Sequence, residues 1–279
     1  MKENQYTKNG MIVFLIIVII ASAIVEGWSI KGGPIWLNLL LMWIPALSAM
    51  TANIIIIKNK NEKIGVKEFV NRLGIRGCKI YYIALGVLIP LIYLLIPYII
   101  YWRIFPNRFA YNGVALPIVL KDVLPLLILG IFFNLITAIG EEIGWRGFLF
   151  PALLSEMNLK RTLLITSLFW ACWHLPILIF GDYMSGAPVW YKIPAFILCV
   201  IPIGIIAGLV TYQSKSVWPA TFLHAAHNNF DQAVFGVITG GDKKMFYVSE
   251  TGFLTIICAW IIAAVLLKLF TMPQTNEKK

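Results

Sequence analysis

Charge is scarce in this sequence. Of its 279 residues 13% are charged and 59% are apolar, where a soluble domain carries about 25% and 45–50%. That imbalance excludes an ordinary soluble globular domain. Cysteine is scarcer still: Cys78, Cys172, Cys199 and Cys258 are scattered, with no CxxC pair, which argues against a disulfide framework and a cysteine metal site. Internal repeats, low-complexity tracts and a basic domain outside the apolar runs are also missing. The net charge of +10 therefore does not point to nucleic acid; it fits the excess of Lys and Arg on the cytoplasmic side of membrane proteins.

What fills the chain instead is a series of apolar runs, each close to the ~20 residues a bilayer requires. The fold class expected is all-α, a polytopic membrane protein with eight transmembrane helices. They are placed at residues 11–28, 36–57, 80–102, 124–150, 162–180, 190–212, 217–238 and 252–270. Ala21-Ser22-Ala23 imitates a signal-peptidase site, but the first run continues past it and more spans follow, so an uncleaved first helix is expected. With eight spans, fifteen Lys and Arg fall on the side of the termini and seven on the other, which predicts both termini in the cytoplasm of a multi-pass cell-membrane protein. Three parts are distinguished. Residues 1–123 hold three spans and a cytoplasmic loop, 124–238 the polar helices, and 239–279 the last span and tail. In the loop, Val66, Phe69, Val70 and Leu73 share one face, the pattern of a short interfacial amphipathic helix.

The polar residues inside the runs are few enough to be informative. Glu141 and Glu142 sit near the end of an apolar stretch that begins at Leu124, with Arg146 one turn on. A charge at the centre of a membrane helix costs about 2.5–3.5 kcal/mol on insertion scales. Glu142 and Arg146, four apart, can neutralise each other; Glu141 is left without a partner. This stretch is too long for one straight crossing, and Gly140, Gly144, Gly147 and Pro151 are candidates for bending or ending it.

All three histidines, His174, His224 and His227, fall within expected spans. Spans four and five form an antiparallel hairpin, in which Glu141 and His174 both lie roughly 20 Å from the turn at 1.5 Å per residue. His224 and Asn228 reach a depth of roughly 12–18 Å from the same side. Along the seventh span His224, His227, Asn228 and Asp231 fit one stripe about 100° wide. Two pairs compete there, His224 with Asn228 and His227 with Asp231; the second can be read as a structural histidine–carboxylate pair. Chemically, a glutamate can take a proton from water while an imidazole orients that water, and a second His with an amide can stabilise an oxyanion. Alternatively, two histidines and a carboxylate hold a metal with an open position for water. Both schemes lead to hydrolysis of an acyl bond.

At these residues the chain resembles the CPBP family, the CAAX proteases and bacteriocin-processing or immunity (Abi-type) proteins. The family's EExxxR stands as Glu141-Glu142-Ile143-Gly144-Trp145-Arg146. FxxxH falls on Trp170-Ala171-Cys172-Trp173-His174, with Trp where Phe is expected, and HxxxN on His224-Ala225-Ala226-His227-Asn228. The resemblance covers about residues 124–235 and implies a glutamate-dependent intramembrane endopeptidase. In it Glu141 activates water with His174, His224 and Asn228 bind the oxyanion or a metal, and Glu142 and Arg146 support the site. A metalloprotease reading places Zn2+ on His174, His224 and Glu141; a metal-independent one leaves the same residues to water. The partners implied are the lipid bilayer and a membrane-associated peptide or protein, and prenylated CAAX proteins are not singled out. HExxH, GxSG and GxGD, the signatures of other intramembrane proteases, are missing. Two other readings stand beside this one. One is a proton-coupled transporter relaying through Glu141, the histidines and Asp231; the other is an immunity or scaffold protein that only binds.

Overall fold

The computed structural model describes residues 6–184 and 186–271; Lys2, Lys278 and Lys279, three of the cations in the topology count, lie outside them. The chain forms α1 (Lys8–Ile30), α2 (Trp36–Asn59), the short α3 (Val66–Arg72), α4 (Ile80–Ile104) and α5 (Leu116–Glu142). After α5 come a π-helical turn (Ile143–Leu149), α6 (Phe150–Leu154), α7 (Leu159–Trp173), α8 (Leu175–Phe180), α9 (Val189–Ser214) and α10 (Trp218–Asn228). A second π turn (Asn229–Phe235), α11 (Lys244–Tyr247) and α12 (Phe253–Thr271) complete it. No β-strand forms among the described residues.

The protein is an all-α polytopic membrane protein. Its outer faces carry bands of exposed apolar side chains, such as Ile12, Ile16, Ile19 and Ile20 on α1 and Ile128, Leu129, Phe132 and Phe133 on α5. Among the described residues seven helices are long and apolar enough to cross a membrane, one fewer than the eight expected. The missing one is the expected 217–238 span. It exists as α10 and the second π turn, packed against α4, α5 and α9, but its His, Asn and Asp residues make it too polar to be counted by composition. Helices around it supply the apolar environment that its own sequence lacks.

The long fourth run bends differently from the expectation. The helix continues through Pro151 to Leu154, and the distortion is the π turn that starts at Ile143. Gly140 and Gly144 act chiefly as a contact surface. A Cβ on Gly140 would lie 2.6 Å from the Met42 carbonyl oxygen, and one on Gly144 would lie 2.4 Å from Pro45 Cβ. These two glycines let α5 press against the backbone of α2, the small-residue packing common in membranes. α7 stops at Trp173, His174 occupies the joint, and Pro176 opens α8, so the fifth run is kinked at the histidine. α9 runs through the middle of the bundle, against α7, α10 and α12. The amphipathic loop forms α3, with Leu73 buried and Phe69 packed on the core, although Val66 faces outward.

Candidate active site

Glu141 and Glu142 are the last two residues of α5, just before the π turn, and their roughly 100° separation puts them in different environments. Glu142 and Arg146 are both buried, and one Arg146 guanidinium N–H donates to Glu142 Oε1 across 2.9 Å. The Glu142–Arg146 pair expected from the i,i+4 spacing is therefore present. Glu142 does more than neutralise Arg146, because His224 Nδ1 lies 3.0 Å from the same Oε1. A carboxylate only accepts, so Nδ1 carries the hydrogen, and His224 keeps Nε2 for another partner.

Glu141 finds its partner on α7. Trp170 Nε1 donates to Glu141 Oε2 at 2.8 Å, and Glu141 is only 1% exposed. One turn further on, His174 Nδ1 lies 2.8 Å from the Trp170 carbonyl oxygen. That carbonyl cannot donate, so Nδ1 holds the hydrogen and Nε2 is left as an acceptor. The Arg146 guanidinium stacks 4.4 Å over the Trp170 ring, within cation–π range, and the His224 ring meets the indole at 5.2 Å. Trp170 thus touches Glu141, Arg146, His174 and His224. A Phe at this position would keep the packing and lose the N–H.

These groups converge on one cavity of about 390 Å³, lined by Glu141, Trp170, His174, His224, His227 and Asn228 among mostly apolar neighbours. The Asn228 side chain makes no hydrogen bond among the described residues, so its amide is free to meet a ligand. Glu141, His174, His224 and Asn228 thus all line this one cavity, with Glu142 and Arg146 behind them. As to a metal, no group of three or more His, Cys, Asp or Glu among the described residues is placed to hold an ion. Glu141, His174 and His224 share the cavity without forming a close donor set.

The His227–Asp231 pair does not form. His227 Nε2 faces Glu250 Oε1 at 2.9 Å and its Nδ1 faces the Tyr93 hydroxyl at 2.9 Å. Asp231 accepts instead from Tyr98 at 3.0 Å and Ser249 at 2.6 Å. The reason is the second π turn, which begins at Asn229: the i→i+5 pattern abandons the 100° step on which the stripe was drawn. His224, His227 and Asn228 precede the turn and line the cavity; Asp231 does not.

Two cavity carboxylates escaped the sequence reading. Glu250 precedes α12 and accepts from Tyr183 at 2.5 Å as well as meeting His227. Burial pushes its carboxyl up, but the His227 and Tyr183 hydrogen bonds outweigh this and hold it below the usual carboxylate range. Nothing in its local sequence marked it, since its partners come from distant segments. Glu26 is a carboxylate within the first apolar run, and the reasoning applied to Glu141 would have found it.

Fold and site together define a polytopic helical membrane protein whose helices line a cavity of about 390 Å³, apolar over most of its wall, into which a few polar side chains converge. Residues 123–230 match the family described as type II CAAX prenyl endopeptidase Rce1-like. The chain is 29% identical over 244 residues to "CAAX prenyl protease 2" of Methanococcus maripaludis, an alignment that covers 80% of this chain and 81% of the relative. Both matches, together with the three motifs present in order, support the resemblance to the CPBP family.

Proposed function

We propose that the protein is an intramembrane endopeptidase that hydrolyses peptide bonds of membrane-associated peptides or proteins with a water held between Glu141 and His174. The observation that carries this reading is the shared cavity. A carboxylate fixed by one indole N–H, an imidazole with its acceptor nitrogen left over and an unengaged amide line the same chamber.

In this reading Trp170 holds one oxygen of Glu141, and the other takes the proton from water. His174, fixed through Nδ1, accepts the second water hydrogen at Nε2 and so sets the direction of the attacking lone pair. The water oxygen bonds to the substrate carbonyl carbon, and the carbonyl electrons move to its oxygen. The Asn228 amide donates to that oxyanion, and so does His224 Nε2 when the ring is protonated, the form in which both its nitrogens donate. As the C–N bond breaks, protonated Glu141 returns its proton to the leaving amine. Glu142 fixes the His224 ring, and Arg146 balances Glu142. Asp231, held by Tyr98 and Ser249 outside the cavity, has no place in the scheme, which also disfavours a relay through it.

The Lys and Arg distribution supports a multi-pass cell-membrane orientation with cytoplasmic termini, α10 serving as the eighth crossing. The test is to compare peptides released in cells by wild type and Glu141→Gln, and to offer purified protein a prenylated CAAX peptide, the substrate type named for the relative. Products seen with wild type and lost with Glu141→Gln support the reading. Identical peptide profiles, with no cleavage of the probe, leave only a binding role.

A further inference from the structure

One wall of the cavity carries a group the mechanism does not use. Glu26 projects from α1 near its C-terminal end and is 3% exposed, yet it lines the same chamber as Glu141. Its carboxyl makes no hydrogen bond and no ion pair among the described residues. Two other polar residues lining the chamber are engaged elsewhere: Trp173 Nε1 donates to Ser22 Oγ at 2.8 Å, and Asn134 Nδ2 donates to the Gly130 carbonyl at 2.9 Å. An unpaired carboxylate inside a membrane protein is unfavourable and marks a place where a partner is supplied from outside.

The rest of the cavity indicates the sign of that partner. Three carboxylates, Glu26, Glu141 and Glu250, line it, and no Lys or Arg does. Glu141 has Trp170, and Glu250 has His227 and Tyr183. Glu26 alone is unanswered. Leu41, Met42 and Trp173 line the same cavity, apolar surface suited to the aliphatic stem of a long basic side chain, whose charged head would continue past it.

We propose that Glu26 forms a substrate subsite that binds the Lys or Arg side chain of a peptide, and so selects substrates carrying a basic residue at a fixed distance from the cleaved bond. This rests on reading the cavity as the peptide site. Glu26 makes no contact with the reacting atoms; it sets specificity through an ion pair that exists only in the complex.

The experiment separates binding from cleavage. Glu141→Gln protein in lipid nanodiscs is titrated with dye-labelled Ala/Leu peptides in which a single Lys is moved one position at a time, and fluorescence anisotropy is read. One register should bind at least about tenfold more tightly than the Lys-free peptide. That preference should vanish in Glu26→Gln/Glu141→Gln, and in Glu26→Lys/Glu141→Gln it should pass to the matching peptides with Glu in place of Lys. Absence of any lysine-dependent binding overturns the proposal. So does a Glu26→Gln protein that keeps the preference, or one that loses affinity for all peptides equally, which is the signature of a merely structural role. Wild-type protein run beside it tests proteolysis independently: cleavage without lysine preference sinks the subsite alone, and lysine preference without cleavage sinks the protease reading alone.

Discussion

Arg146→Met isolates the charge buried behind the site. Arg146 is 2% exposed and Glu142 fully buried, and they meet at 2.9 Å. Met keeps much of the stem volume and removes the guanidinium. Glu142 is then left with His224 as its single partner, since its Oε2 already has none. Breaking a buried pair from one side typically costs about 3–5 kcal/mol, whereas replacing both members by neutral groups is often close to neutral. The stacking of the guanidinium on Trp170 at 4.4 Å adds roughly 0.5–2 kcal/mol that neither replacement recovers. Arg146→Met alone should therefore lower stability by about 3.5–7 kcal/mol, and Glu142→Gln/Arg146→Met should regain about 2 kcal/mol of it. Reversible unfolding in mixed detergent micelles reads both. Peptidase activity should not follow stability, because the double variant also removes the carboxylate that fixes His224. A single variant less than ~1 kcal/mol below wild type, or a double variant as unstable as the sum of the two singles, would falsify the idea that a desolvated pair is held here.

Trp170→Phe restores the residue expected from the FxxxH motif but removes the N–H that holds Glu141 at 2.8 Å. A hydrogen bond to a charged acceptor contributes about 1.5–3 kcal/mol, so kcat/KM should drop roughly tenfold or more, and an unchanged rate would show that Glu141 needs no such donor. Asn228→Ala should reduce the cleavage rate by about 10²–10³, the usual loss for one oxyanion donor, with little change in unfolding. His227→Ala leaves Glu250 with Tyr183 and takes the ring partner from the Tyr93 hydroxyl, and should instead lower stability by about 1–3 kcal/mol while part of the activity survives; the reverse pattern would exchange the roles of the two residues. Reporter fusions at the C-terminus and in the 103–121 loop should report opposite sides of the membrane, and matching signals would rule out cytoplasmic termini with eight crossings.

Composition and periodicity determined the class of this protein, because lipid leaves an apolar chain few alternatives to a bundle of helices. The same cost of charge in lipid made Glu141, Glu142, Arg146 and the histidines legible one by one, and the i,i+4 spacing was enough for the Glu142–Arg146 pair. Depth along a hairpin placed Glu141 and His174 at one level, since rise per residue is nearly constant in a helix. Rotation about the helix is less secure. Once the π turn at Asn229 broke the 100° step, Asp231 left the cavity and joined Tyr98 and Ser249, while His227 took Glu250. The count of spans had the same weakness, because α10 is sheltered by α4, α5 and α9 rather than by its own hydropathy. Only the tertiary structure could show that Trp170 binds Glu141 through its side chain and His174 through its carbonyl, or that Glu142 serves both Arg146 and His224. Those contacts join residues from separate helices, and their geometry is set by how the helices pack, as where Gly140 and Gly144 let α5 approach the backbone of α2.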